Sequence, residues 1–159
     1  MKLKELLKGI NCRIVGDEEV EVTGVAYDSR EVKEGNLFFC IQGFNSDGHR
    51  YAPKAVEAGA ACLVVSRQLE LNVPQVVVKA EQDRKAMSQI AAAFYGKPSE
   101  KLCMIGVTGT SGKTSTTYML KSILEKAGRK VGLIGTVHTV IGEKVIPAER
   151  TTPEAPDLQ

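Results

Sequence analysis

The chain has 159 residues, 43% hydrophobic and 25% charged, the composition of a globular protein with room for one full domain and part of another. Its 21 Lys and Arg against 19 Asp and Glu leave a net charge of +2 spread along the whole length, with no basic stripe or tail of the kind that grips nucleic acid or an anionic membrane. The opening MKLKELLKGINCRIVGDEE is broken by charges and by Gly9 before any long apolar run builds, so it predicts neither a signal peptide nor a spanning helix, and the expected location is the cytoplasm.

Apolar runs of strand length alternate with segments of helical period, which predicts an α/β fold. In chain order, strands are expected at Glu21–Tyr27 and Leu37–Ile41, a short helix at Tyr51–Ala58 stopped by Gly59, then strands at Ala61–Val65 and Gln75–Val78. Met87, Ile90, Ala91 and Phe94 recur at i, i+3, i+4 and i+7, so Asp83–Tyr95 is expected as a helix with one buried stripe, ending at Gly96 ahead of Pro98. The polar segment 96–101 predicts a junction between a domain over residues 1–97 and a second unit over 98–159. That unit reads as strand Leu102–Val107, a glycine-rich turn, helix Lys113–Ala127 stopped by Gly128, and strand Val131–Ile134. This is one βαβ unit, with its turn at the carboxyl end of the first strand, where open parallel sheets hold ligands. Cys12, Cys40, Cys62 and Cys103 form no CxxC pair and have no histidine at metal-ligand spacing, so reduced thiols are expected. Cys40, Cys62 and Cys103 lie in apolar strand-like contexts, where the thiol behaves as a small hydrophobe.

The strongest chemical signal is Gly106-Val-Thr-Gly-Thr-Ser-Gly-Lys-Thr114. Glycines in such a loop let successive backbone N–H groups converge on phosphate oxygens while the following helix directs its positive end at the same anion. Lys113 is placed to reach the β and γ phosphates of ATP as a point charge, and the Thr114 hydroxyl to ligate Mg²⁺. The usual G-x-x-x-x-G-K-[ST] pattern would put a glycine at Val107, whereas the glycines here fall at 106, 109 and 112. The context compensates: the loop follows an apolar strand and opens a helix whose Met119, Leu120, Ile123, Leu124 and Ala127 make a stripe expected to face a core.

Gly109-Thr110-Ser111-Gly112-Lys113-Thr114, with Ser115 after it, resembles the ATP loop of the Mur ligases and their folylpolyglutamate synthetase relatives. Upstream, Asp28-Ser29-Arg30, Val32, Gly35, Leu37-Phe38, Gly43, Asp47-Gly48-His49, Tyr51 and Gly59-Ala60 look like the amino-terminal domain of the MurE and MurF types, which the folylpolyglutamate synthetases lack. Thr151-Thr152-Pro153-Glu154 with Asp157-Leu158-Gln159 is similar to a segment of the MurE type, where MurF differs. The resemblance covers essentially the whole chain. It implies a small α/β nucleotide-sugar-binding domain followed by the first βαβ unit of an ATP-binding domain. The implied reaction is ATP-dependent ligation in peptidoglycan assembly, adding meso-diaminopimelate or L-lysine to the D-Glu carboxylate of UDP-MurNAc-L-Ala-D-Glu through an acyl phosphate.

Carried over by position, the resemblance places residues 109–115 on ATP and assigns Lys113 and Thr114 to catalysis. It puts Tyr27, Ser29, Phe44, Asn45 and Ser46 on the uridine-diphosphate moiety, and Thr151 and Thr152 on the sugar-peptide. For Asp28, Arg30 and Asp47, a turn held by local side-chain hydrogen bonds and direct ligand contact both stand. His49 is expected to support that turn rather than transfer protons, and His138 to lie in a loop. The family's acidic Mg²⁺ ligand, modified lysine and amino-acid-binding domain would lie past Gln159, so a fragment without ligase activity of its own, and monomeric, is expected. Two alternatives remain: a MurF-type dipeptide ligase, and a non-catalytic nucleotide-sugar-binding module.

Overall fold

The computed structural model describes residues 1–43, 46–148 and 153–159. The chain divides into two compact units, Met1–Lys101 together with Gln159, and Leu102–Leu158. The short 3-10 turn Pro98–Lys101 thus goes with the first unit rather than the second.

Three apolar runs, Leu37-Phe38-Phe39, Cys62-Leu63-Val64-Val65 and Val76-Val77, lack the in-out alternation of a half-solvated sheet, the pattern of parallel strands covered on both faces. They lie in a five-stranded sheet of β1 (Arg13–Val15), β2 (Gly24–Ala26), β3 (Asn36–Phe39), β4 (Cys62–Val65) and β5 (Gln75–Val77), in the order β1-β5-β4-β3-β2. Strands β2 to β5 are mutually parallel, and β1 closes one edge antiparallel to β5. Successive residues point to opposite faces. Leu37, Phe39, Cys62, Val64 and Val76 pack with Leu3 and Leu6 of α1 (Leu3–Leu6) and Met87 and Ile90 of α3 (Asp83–Phe94). Phe38, Leu63 and Val65 pack on the other side with Ala52 and Ala55 of α2 (Ala52–Glu57). The result is a sheet between helices, with the stripe expected on α3 buried.

The second unit contains α4 (Lys113–Lys126), a three-stranded antiparallel sheet of β6 (Gly132–Ile134), β7 (His138–Ile141) and β8 (Lys144–Pro147), and the short α5 (Ala155–Leu158). β7 and β8 are joined through Gly142-Glu143, with Gly142 at φ 59°, the glycine-first two-residue turn that matches strand twist. His138 therefore sits in a strand, not in a loop.

Three further expectations fail in this unit. Leu102–Val107 is not a strand, and Leu102 and Met104 are 64% and 69% exposed. A parallel strand is defined by its ladder, and among the described residues no strand lies beside this one. The stripe on α4 is likewise not buried: Met119, Ile123 and Ala127 are exposed and Leu120 and Leu124 only half-buried. Cys103, expected as a buried hydrophobe, is exposed with its segment, whereas Cys40 and Cys62 are buried and their thiols pushed up to about 12 by burial. Among the described residues no helix is long and apolar enough to cross a membrane.

These contrasts set a stability prediction. Leu63→Ala empties a fully buried site on a central strand and should cost about 2–5 kcal/mol. Ile123→Ala on the open face of α4 should stay within about 0.5 kcal/mol. Urea denaturation of both variants checks this, and equal losses would mean that α4 is packed in solution.

Candidate functional site

In a parallel sheet covered on both faces, ligands are reached at the carboxyl ends of the strands. In the first unit that edge is made by the segments following β2, β3 and β4. Tyr27 and Ser29 follow β2, Ser29 buried and Tyr27 half-buried. Asp28 between them grips Arg30, accepting its backbone N–H at 2.9 Å and its guanidinium at 2.6 to 3.1 Å. The Arg30 guanidinium, chiefly, holds the Asp28 carboxyl down at about 2. Asp28 and Arg30 thus realise the local turn.

The loop after β3 is closed by backbone bonds. Gly43 N–H donates to the Ser46 carbonyl at 2.9 Å, and Gly48 N–H to the Ile41 carbonyl at 2.9 Å. Gly48 is required by close approach, since a Cβ there would lie 2.5 Å from the Ile41 carbonyl oxygen. Ser46 is exposed on this loop. Asp47 accepts from His49 N–H at 3.0 Å and from Arg67 Nη2 at 2.7 Å, and the Arg67 contact leads in holding its carboxyl well below the usual range. His49 is buried within this turn, as a supporting role requires. Tyr27, Ser29 and Ser46 therefore share one edge of the sheet, while Phe44 and Asn45 lie outside the described residues.

In the second unit Gly109 and Gly112 have φ of 149° and 79°, backbone states that L side chains rarely adopt. Gly112 in the left-handed state caps α4, so the turn delivers Lys113 and Thr114 to the first helical positions. Lys113 Nζ donates to the Gly109 carbonyl at 2.7 Å, folding its ammonium across the loop. Thr110, Ser111, Gly112, Lys113, Thr114 and Ser115 line an open pocket of about 250 Å³ together with Thr136 and Val137. Thr151 and Thr152 lie outside the described residues.

Thr136 and Val137 were not anticipated from the sequence, nor were Ser66 and Arg67 behind the first-unit loop. For Ser66 and Arg67 the signal was available, since they sit just past the carboxyl end of β4 in the parallel sheet, where ligands collect. Thr136 and Val137 follow β6 of the antiparallel sheet, where that rule gives no signal. Among the described residues no group of three or more His, Cys, Asp or Glu could hold a metal ion unaided.

Residues 21–95 match the Mur ligase family, catalytic domain, and residues 107–159 match the Mur ligase middle domain. The chain belongs to the Mur ligase family. Two similar relatives are a UDP-N-acetylmuramoyl-L-alanyl-D-glutamate--2,6-diaminopimelate ligase of Caldanaerobacter subterraneus subsp. tengcongensis, 48% identical over 159 residues, and ligase 1 of that name from Clostridium acetobutylicum, 50% identical over 160. Each alignment takes in 100% of this chain and 33% of the relative, so the chain spans about a third of the length of these Mur ligases. Among solved structures, a ligase of the same printed name superposes at TM-score 0.75 over 99% of this chain and 32% of that one, which at 18% identity speaks to fold alone. The diaminopimelate--D-alanyl-D-alanyl ligase of Acinetobacter baumannii superposes at 0.62 with 27% identity, over 86% of this chain and 29% of that one. These matches extend across both units of this Mur ligase chain and agree with a mixed α/β fold built on a parallel sheet.

The Asp28–Arg30 pair gives a pH prediction. A carboxyl whose folded value lies near 2, against an ordinary 3.8, contributes stability that is present above about pH 4 and lost as pH falls through about 2. Unfolding free energies measured between pH 5 and pH 2 should fall less steeply for Asp28→Asn than for the wild type. Identical slopes would mean that the pair does not form in solution.

Proposed function

We propose that this chain supplies the nucleotide-sugar-binding part and the phosphate loop of an ATP-dependent amide ligase of peptidoglycan precursor synthesis, with 2,6-diaminopimelate as the amine joined to the D-Glu carboxylate of UDP-MurNAc-L-Ala-D-Glu. The observation that carries this is the 48–50% identity across the whole chain to relatives bearing that activity in their names, combined with a Gly-Lys-Thr loop opening a helix beside a pocket. The same names favour diaminopimelate over L-lysine, and over the dipeptide of the MurF type. Intact Lys113 and Thr114 weigh against a non-catalytic module. On this reading the protein works as a cytoplasmic monomer on small molecules, with neither nucleic acid nor membrane as partner.

The loop fits a nucleotide polyphosphate on its own geometry. Two glycines in positive φ open the backbone, a helix of fourteen residues begins at Lys113, and the pocket is lined by hydroxyls and an ammonium with no carboxylate. Lys113 would turn its ammonium to the phosphates. The Thr114 hydroxyl would ligate Mg²⁺, which enters with the nucleotide because the described residues offer it no cluster of their own. A phosphoryl donor converts the carboxylate oxygen into a leaving group. This chain's contribution to that step is positioning and charge stabilisation, and no side-chain nucleophile is needed. At the other site, Tyr27, Ser29 and the loop bearing Ser46 would hold the uridine diphosphate.

Lys113→Ala leaves both glycines, the helix start and Thr114 in place while removing the ammonium. A charge-assisted contact is worth about 1.5–3 kcal/mol, so Mg-ATP affinity should fall roughly ten- to a hundredfold. UDP affinity should not change. Calorimetric titration of the wild type and Lys113→Ala with each nucleotide checks this, and unchanged ATP affinity would remove the phosphate-loop assignment. For the reaction itself, the 159 residues exchanged for the matching third of the Clostridium acetobutylicum relative should support diaminopimelate-dependent phosphate release that requires UDP-MurNAc-L-Ala-D-Glu and is lost with Lys113→Ala. A folded chimera that releases no phosphate would overturn the ligase reading.

A further inference from the structure

We propose that His49 is a positioning residue for the nucleotide-sugar site, its ring spanning Asp47 and Ser66 so that the loop after β3 is fixed against the end of β4. This rests on the reading that the loop bearing Ser46 meets a uridine diphosphate. His49 is 3% exposed, and both ring nitrogens have partners. Nδ1 lies 2.6 Å from Asp47 Oδ1. Nε2 lies 2.9 Å from the Ser66 backbone nitrogen and 3.1 Å from Ser66 Oγ. A backbone N–H can only donate, so Nε2 is the acceptor and the ring proton sits on Nδ1, donated to Asp47.

That tautomer decides between two roles. Asp, His and Ser in this order suggest a nucleophile triad, in which Nε2 must take the proton of the serine hydroxyl. Here the one in-plane lone pair of Nε2 already receives the Ser66 N–H, so the imidazole is committed to holding two chain segments together. Its neighbours serve the same end. Arg67, next along from Ser66, takes the second Asp47 oxygen at 2.7 Å, so two consecutive residues past β4 reach the same carboxylate, one through His49 and one directly. From the opposite layer, Asp83 at the start of α3 accepts the Gln42 N–H at 3.2 Å, pinning the other limb of the loop. Ser46 hangs between these anchors, paired through its carbonyl with Gly43. A polar network centred on a buried imidazole with both ring nitrogens partnered admits few alternative geometries, which is the property a loop needs to receive a ligand without first being ordered.

The test titrates UDP into the 159-residue chain and its variants, with melting temperature measured alongside. Arg67→Ala alters a side chain that is more than half exposed, so the fold is retained, and UDP affinity should fall about three- to tenfold at unchanged melting temperature. Arg67→Lys, which keeps a cation facing Asp47, should recover most of the loss. His49→Asn should weaken UDP tenfold or more. Because both act through Asp47, the double variant should bind no more weakly than His49→Asn alone. A downfield proton resonance from the His49 Nδ1–H should be present in the wild type and absent in Asp47→Asn.

Ser29→Ala, on the separate segment after β2, distinguishes the failures. If Ser29→Ala weakens UDP while the Arg67 and His49 variants bind normally or lose only melting temperature, the positioning role is wrong and the site stands. If losses at Arg67 and His49 add, Arg67 meets the ligand directly and the clamp is wrong. If the wild type does not bind UDP, or no variant including Ser29→Ala weakens it, the site reading fails and the clamp with it.

Discussion

A strand covered on both faces can satisfy its backbone polar groups only through the ladders at its sides, because neither face offers water. β4 shows the constraint at full strength: all four residues are buried, β3 and β5 flank it, and helices lie above and below. Neighbours in register, apolar side chains in both directions and short connections follow from it. So does the location of chemistry, since a sheet sealed on two faces exposes its backbone only at strand ends. The same constraint read in reverse explains residues 102–107. Their side chains would suit such a strand, but with no ladder beside them among the described residues they stay irregular, and α4 keeps its apolar side open.

The two units then hold loops at strand ends by different means. In the first, carboxylates do the work: Asp28 closes on Arg30, and Asp47 on Arg67 and His49, each a charge-assisted contact stronger than a neutral one. Pairing the acidic groups this way leaves their negative charge neutralised at the edge proposed to receive a diphosphate. In the second, no carboxylate lines the pocket, and the loop takes its shape from backbone states open to glycine.

Much of this was legible in the sequence. The apolar runs at 37–39 and 62–65 marked strands of an α/β fold, and the period of Met87, Ile90 and Ala91 marked α3, because burial on both faces or along one stripe writes itself into residue spacing. The glycine-rich turn before α4 was legible because few residue types tolerate its backbone. What escaped was set by partners distant in sequence. β1 is three residues long and exists by pairing with β5, some sixty positions away. Whether the Leu102–Val107 run becomes a strand depends on neighbours that no local pattern encodes. The clamp behind the 42–48 loop joins residues 17 and 20 positions apart, a proximity that only the packing of β3 beside β4 creates.

The bond from Lys113 to its own loop has a further meaning. An ammonium on a four-carbon stem ordinarily samples many rotamers, and freezing it at the moment of capture costs up to about 2 kcal/mol. Here the stem is already folded over the loop, with its nitrogen 2.7 Å from the Gly109 carbonyl. On the proposed reading, an arriving phosphate would meet a cation already held near the loop, and would ask it to trade a neutral oxygen for an anionic one. Capture would then be a partner exchange along a short path, favouring speed of loading as much as tightness of grip.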